Sequence, residues 1–210
     1  MENKKRILFK ICGMKHPPNC LEASLLETDL MGFIFYEKSP RFFSGKMPQL
    51  PKEIKKTGVF VNASYKEIDE KIKTYGLDLV QLHGNETPAL CKRINNKVPA
   101  IKAFQMDDNF DFAVLELYKE ACSYFLFDTK GKNYGGSGQA FDWSVLRNYR
   151  HGKPYFLSGG LGLENVLEIK DFLAKDYASD CHGVDLNSKF EIEPGQKEIK
   201  KLDEFMKLLK

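Results

Sequence analysis

Short apolar runs recur along the chain, each followed by a polar turn and then by a segment whose apolar positions return at helical spacing. The runs Ile7 to Cys12, Gly32 to Phe35, Thr57 to Val61, Leu77 to Leu82, Val98 to Phe104, Tyr124 to Phe127, Pro154 to Ser158 and Gly183 to Leu186 predict eight strands. Pro17 and Pro18 open a first helix that runs to about Thr28, since proline is tolerated in a first helical turn. Pro48 and Pro51 leave room only for a short second helix near Lys52 to Lys56. Ser64 with Glu67 forms a capping box for a helix to Tyr75. Further helices are predicted over Glu86 to Asn95, Phe110 to Glu120, from Trp143, and over Leu163 to Phe172. Ile199, Leu202, Phe205, Met206 and Leu209 give an apolar stripe to a last helix near Gln196 to Leu209.

Parallel strands need crossover helices, so strand and helix alternating eight times specify an α/β fold closed as a single (β/α)8 TIM barrel domain over residues 1–210. That length is lean for the fold, and the short second crossover accounts for part of the economy. A six-stranded doubly wound sheet is the alternative. It is disfavoured because the turn after the first strand reads Cys12-Gly13-Met14-Lys15 rather than a Gly-rich dinucleotide fingerprint.

Composition narrows the function classes. Hydrophobic residues make up 42% and charged ones 29%, which excludes a disordered chain. A net charge of +3, with both signs mixed, gives no footprint for nucleic acid. No apolar run is long enough for a bilayer, and the basic start is followed only by Ile7-Leu8-Phe9, too little for a signal peptide. The expectation is a cytoplasmic protein with no membrane partner. Five cysteines without C-x-x-C spacing and four histidines without H-E-x-x-H argue against disulfides and a metal site.

Barrels carry chemistry at the C-terminal ends of their strands. Those positions hold Cys12, Ser39-Pro40-Arg41, Asn62, Gln81 with His83, Gln105, Asp128, Ser158-Gly159-Gly160 and Asp185-Leu186-Asn187-Ser188. Cys12 and Asp128 each end an apolar run, and a thiol and a carboxyl so placed can act as base and acid on one substrate. The ordinary fate of a lone cysteine is a small buried hydrophobe, and of an aspartate after a strand, a cap. Gly13 is expected to leave space beside the Cys12 sulfur, and Lys10, on the same side of the strand, to favour its thiolate. The other four cysteines read as packing. Glycines at 131, 135, 136 and 138 suggest a lid after Asp128. Gly159 and Gly160, before a helix, suit a phosphate, and the loops after the last two strands are the usual place for one.

Seven segments together resemble the phosphoribosylanthranilate isomerase family: KICGMK at 10–15, GFIFYEKSPR at 32–41, GVFVN at 58–62, VQLHGNE at 80–86, FDTKGKNYGGSGQAFDW at 127–143, LSGGLGLENV at 157–166 and GVDLNS at 183–188. The resemblance implies a barrel that isomerises a phosphosugar, N-(5-phosphoribosyl)anthranilate, in tryptophan biosynthesis. It implies Cys12 as general base, Asp128 as general acid and Arg41 at the anthranilate carboxylate. Gln81, His83, Gly159, Gly160, Asp185, Asn187 and Ser188 complete the implied substrate-binding set. No cofactor is expected, and the assembly is expected to be a monomer or homodimer. The family usually reads S-S-G-V-E after the position of Leu186, whereas this chain reads Asn187-Ser188-Lys189-Phe190-Glu191, which alters the phosphate loop. An indole-3-glycerol-phosphate synthase would need a lysine acid with glutamate partners. A histidine-pathway isomerase would need aspartates at strands one and five, where Cys12 and Gln105 stand. A non-catalytic phosphosugar-binding barrel would have no use for both Cys12 and Asp128.

Overall fold

The computed structural model describes residues 6–129 and 141–210. In chain order its strands and helices are β1 (Leu8–Ile11), α1 (Pro17–Ser24), β2 (Leu30–Ile34), β3 (Lys55–Phe60), α2 (Tyr65–Tyr75), β4 (Leu79–Leu82), α3 (Pro88–Asn95), β5 (Ala100–Met106), β6 (Tyr124–Thr129), β7 (Tyr155–Leu157), α4 (Val166–Leu173), β8 (Cys181–Leu186), β9 (Glu191–Glu193), β10 (Gln196–Lys197) and α5 (Ile199–Leu209). Strands β1 to β8 form a closed parallel barrel in sequence order, and β8 returns to β1 with Lys10 beside Asp185.

Four expected elements differ. No helix separates β2 from β3, because β3 itself begins at Lys55 and the residues before it hold Pro48 and Pro51. The crossovers after β5 and β6 contain 3-10 turns, Phe112–Tyr118 and Trp143–Asn148, each opened by an aspartate whose carboxylate accepts from the backbone two residues on. Gln196 and Lys197, read as the start of the last helix, instead pair antiparallel with β9. Gly195 turns the chain between them at φ +93°, a left-handed conformation that favours glycine. The capping box at Ser64 and Glu67 is present, and α2 ends on Gly76 at φ +58°.

Period-two alternation sorts the strand side chains. Leu30, Leu79, Ile101, Ala103, Leu126 and Phe156 fill the barrel interior in one cluster. Their neighbours in sequence, such as Met31, Val80, Phe125 and Leu157, pack outward under the helices. Each such large apolar side chain stabilises the fold by about 1.5–3 kcal/mol when fully buried. The next inward position along β1, β4, β6 and β8 is polar: Lys10, Gln81, Asp128 and Asp185, all 5% exposed or less. The barrel is thus dry at its base and polar toward its C-terminal mouth.

Candidate active site

The polar mouth encloses a cavity of about 780 Å³, counting its opening to solvent. Cys12, Arg41, Gln81, His83, Asp128, Gly159, Gly160, Asp185, Asn187 and Ser188 all line it. The sequence-level set therefore converges on one void. Asn62 and Gln105 do not line it. Asn62 takes φ 54°, and its side-chain oxygen accepts from the Asn85 amide at 2.6 Å, so it shapes a loop. The Gly-rich stretch proposed as a lid lies at residues 130–140, outside the described residues.

Cys12 stands just past the end of β1 with Lys10 one turn of the pleat below it. Lys10 Nζ donates to Asp185 Oδ1 at 2.7 Å, and neither side chain is more than 4% exposed. Burial works against the Lys10 ammonium, but the Asp185 carboxylate and the Cys12 sulfur outweigh it, and its pKa is raised. Lys10 favours the Cys12 thiolate, in the direction expected from the sequence, but two larger effects outweigh it. Burial first, and the Asp185 carboxylate second, push the Cys12 thiol above its ordinary value, with Lys10 opposing them. Cys12 therefore rests as a thiol near neutral pH, with an ammonium behind it that lowers the cost of ionisation. The space beside the sulfur also differs from expectation. A Cβ on Gly32 would sit 2.8 Å from Cys12 Sγ, whereas one on Gly13 would crowd Arg41 Cδ and Asn187 Oδ1, both at 2.7 Å.

The Lys10–Asp185 pair is fully enclosed, so removing one partner strands the other's charge. Lys10→Met is expected to lower stability by about 3–5 kcal/mol. Differential scanning calorimetry checks this as a clear fall in Tm. An unchanged Tm would mean that the pair is not ionised in the fold.

Asp128 faces the same void from β6. Its Oδ1 accepts from the Thr129 amide at 3.0 Å, and its Oδ2 lies 3.2 Å from His83 Nε2. That approach is off the line of a straight hydrogen bond, so it is a close polar contact and not a hydrogen bond. The Gln81 amide N–H donates to His83 Nδ1 at 2.8 Å, which leaves the ring proton on Nε2, facing Asp128. The loop carrying His83 is braced by Lys102 and Glu86, a buried pair 3.2 Å apart that sequence reading missed. Lys102 Nζ donates to the Gly84 carbonyl at 2.7 Å and Glu86 accepts from the Gly84 amide at 2.9 Å.

Two ends of the cavity have different chemistry. Ile34 at the end of β2, Val59 in β3 and Val61 just past it line the cavity together with Arg41. Beyond β7 and β8, Gly159 and Gly160 turn at φ +86° and +66°. Their amides donate to no acceptor among the described residues. The helix that follows starts only at Val166, after a 3-10 turn at Leu163–Asn165. Lys189, at the position where the family has glycine, bonds Glu164 at 2.6 Å and ties this loop to the one after β8. The Asn187 side-chain oxygen accepts from Lys197 Nζ at 2.8 Å, which leaves its NH2 on the other side of the amide.

Sequence reading missed Glu191 and Lys197 as well. Glu191 holds Arg41 through Nη2 at 2.6 Å and Nε at 2.9 Å, and Lys197 Nζ reaches Glu191 at 2.7 Å. Burial opposes the Glu191 charge, but Arg41 and Lys197 bring its pKa below the ordinary carboxylate value. Burial lowers Lys197 to about 8 despite that carboxylate. The other four cysteines are buried, with no disulfide among the described residues. Burial lifts Cys20 and Cys91 to about 12 and Cys122 to about 11, as inert packing thiols require.

Comparison with known proteins identifies relatives over nearly the whole chain. The family described as N-(5'phosphoribosyl)anthranilate (PRA) isomerase matches residues 9–208. The N-(5'-phosphoribosyl)anthranilate isomerase of Parabacteroides distasonis is 43% identical over 95% of this chain and 92% of its own. The crystal structure of phosphoribosyl anthranilate isomerase from Thermotoga maritima superposes with a TM-score of 0.85 at 33% identity, covering 97% of this chain and 98% of the other. A phosphoribosyl anthranilate isomerase in complex with reduced 1-(o-carboxyphenylamino)-1-deoxyribulose 5-phosphate superposes with a TM-score of 0.82 at 31% identity, over the same shares.

Proposed function

The chain belongs to the N-(5'-phosphoribosyl)anthranilate isomerase family, and on that premise we propose that Cys12 and Asp128 carry its reaction as general base and general acid. The enzyme converts N-(5-phosphoribosyl)anthranilate to 1-(2-carboxyphenylamino)-1-deoxyribulose 5-phosphate, an Amadori rearrangement of tryptophan biosynthesis. The observation that carries the assignment is that one cavity presents the Cys12 sulfur and the Asp128 carboxyl between an apolar, arginine-bearing end and a glycine-turn end. The substrate has the same order of parts: a benzoate, a ribose and a phosphate.

In this reading the phosphate sits on the Gly159 and Gly160 amides with Asn187 and Ser188. The aromatic ring lies on Ile34, Val59 and Val61, with its carboxylate at Arg41, whose planar fork suits two oxygens. The ribose then spans the barrel axis. Asp128, held by His83 and the Thr129 amide, gives a proton to the ring oxygen. The C1–O bond breaks, and the anthranilate nitrogen takes up the positive charge as an iminium. That charge acidifies the proton on C2 and favours the thiolate of Cys12, as any nearby cation does. Cys12 takes the C2 proton, and the enolamine tautomerises to the aminoketose. One proton enters from Asp128 and one leaves to Cys12, so solvent resets the pair after each turnover. The nitrogen of the substrate is the electron sink.

Five cysteines with no disulfide among the described residues suit a reducing compartment, and among the described residues no helix is long and apolar enough to cross a membrane. The cytoplasm is the compartment this reading takes. The experiment that tests the assignment of parts is steady-state kinetics by loss of substrate fluorescence. Arg41→Ala is expected to lower kcat/KM more than tenfold, about the worth of a charge-assisted hydrogen bond, with a change in Tm of only a few degrees. Unchanged kinetics would remove Arg41 from the site.

A further inference from the structure

Arg41 does not stand alone in the cavity wall. Glu191, the first residue of β9, grips its Nε and Nη2 with both carboxylate oxygens, at 2.9, 2.9 and 2.6 Å. That carboxylate is only 4% exposed and is itself held by Lys197 Nζ at 2.7 Å and the Gly195 amide at 3.1 Å. Lys197 is pinned in turn, because Asn19 accepts from its amide at 2.7 Å and donates to its carbonyl at 2.9 Å. The β9–β10 hairpin is therefore a rigid mount reaching from α1 to the mouth of the barrel.

Such a mount could simply cancel the charge of Arg41. The hydrogen-bond count says otherwise. A guanidinium has five donors, and Glu191 uses the Nε side only. Among the described residues Nη1 donates to no protein acceptor, while Arg41 lines the cavity. Two cations around one carboxylate also leave the cluster one positive charge in excess, in a place largely closed to water. An anion from the cavity would complete it.

We propose that Glu191, locked by Lys197, is a positioning residue that acts through Arg41, fixing the free edge of the guanidinium for the carboxylate of the substrate and so selecting carboxylated aminosugar phosphates. This rests on the assignment of Arg41 to that carboxylate. The same Lys197 Nζ also donates to Asn187 Oδ1 at 2.8 Å.

The test compares Glu191→Gln, Arg41→Ala and the double variant, using the true substrate and ribose 5-phosphate as a competitive ligand lacking the anthranilate. Glu191→Gln is expected to raise KM for the substrate by about tenfold, with kcat within a few-fold and ribose 5-phosphate affinity within twofold. In the Arg41→Ala background the same change is expected to add nothing to KM. Glu191→Asp, which keeps the charge, is expected to recover part of the loss, and it carries the test if Glu191→Gln does not fold. Equal losses for substrate and ribose 5-phosphate, or additive losses in the double variant, would overturn the proposal as a purely structural contact. If Arg41→Ala itself leaves KM unchanged, the assignment of Arg41 fails first. If Arg41→Ala raises KM and Glu191→Gln does not, only the positioning role fails.

Discussion

Replacing Cys12 with alanine is expected to lower kcat by about 10²- to 10⁴-fold, the range for loss of a positioned general base. Cys12 is 3% exposed and lines the cavity, so removal of its sulfur touches chemistry before it touches folding. Burial and Asp185 raise its pKa, so the thiolate is a minor but strongly basic species in the empty site. Ring opening of the substrate places a cation where it stabilises that thiolate, and the ammonium of Lys10 does the same from behind. Cys12→Ser is expected to lose nearly as much, because a hydroxyl is a far poorer donor of an anion in this setting. Substrate fluorescence decay with purified variants measures both. Turnover within a few-fold of the parent in either variant would mean that another group removes the C2 proton.

Asp128→Asn is the second large loss, on the order of a hundredfold or more in kcat. The substitution keeps the size of the side chain and an oxygen for the Thr129 amide, which donates to Oδ1 at 3.0 Å. What it removes is a proton deliverable to the ring oxygen. The loss should therefore fall on kcat with little change in Tm, measured by the same decay and by calorimetry. His83 cannot stand in as the acid without moving, because its Nε2 points at the Asp128 carboxylate from 3.2 Å. Parent-like turnover in Asp128→Asn would make the carboxyl a cap for the strand end.

The legible parts of the fold were local. Alternation of strand runs and helical stripes gives the barrel, and Ser64 with Glu67 marks a helix start that is present as a capping box. The same alternation puts Cys12, Gln81, His83, Asp128 and Asp185 on one side of their strands, and so into one cavity. Interactions across long separations were not legible. Lys10 and Asp185 are 175 positions apart, and Arg41 and Glu191 are 150 apart, so no local pattern links them. The β9–β10 hairpin was hidden because the helical stripe of α5 extends back toward Gln196, and only the turn at Gly195 breaks it. The balance of effects on the Cys12 thiol is illegible in sequence for a related reason. Lys10 is visible beside it in sequence, but the burial and the Asp185 carboxylate that outweigh it are tertiary facts.

The most direct test is a crystal structure of this protein with a stable analogue of the aminoketose product. The expected complex has the Asp128 carboxyl within about 2.6–3.2 Å of the oxygen that left the ring, and the Cys12 sulfur facing C2. The two groups lie on either side of the sugar, with the aromatic carboxylate at Arg41 and the phosphate at Gly159 and Gly160. A ligand bound with Cys12 or Asp128 against its phosphate or its aromatic ring, away from C2 and that oxygen, would contradict the assignment of base and acid.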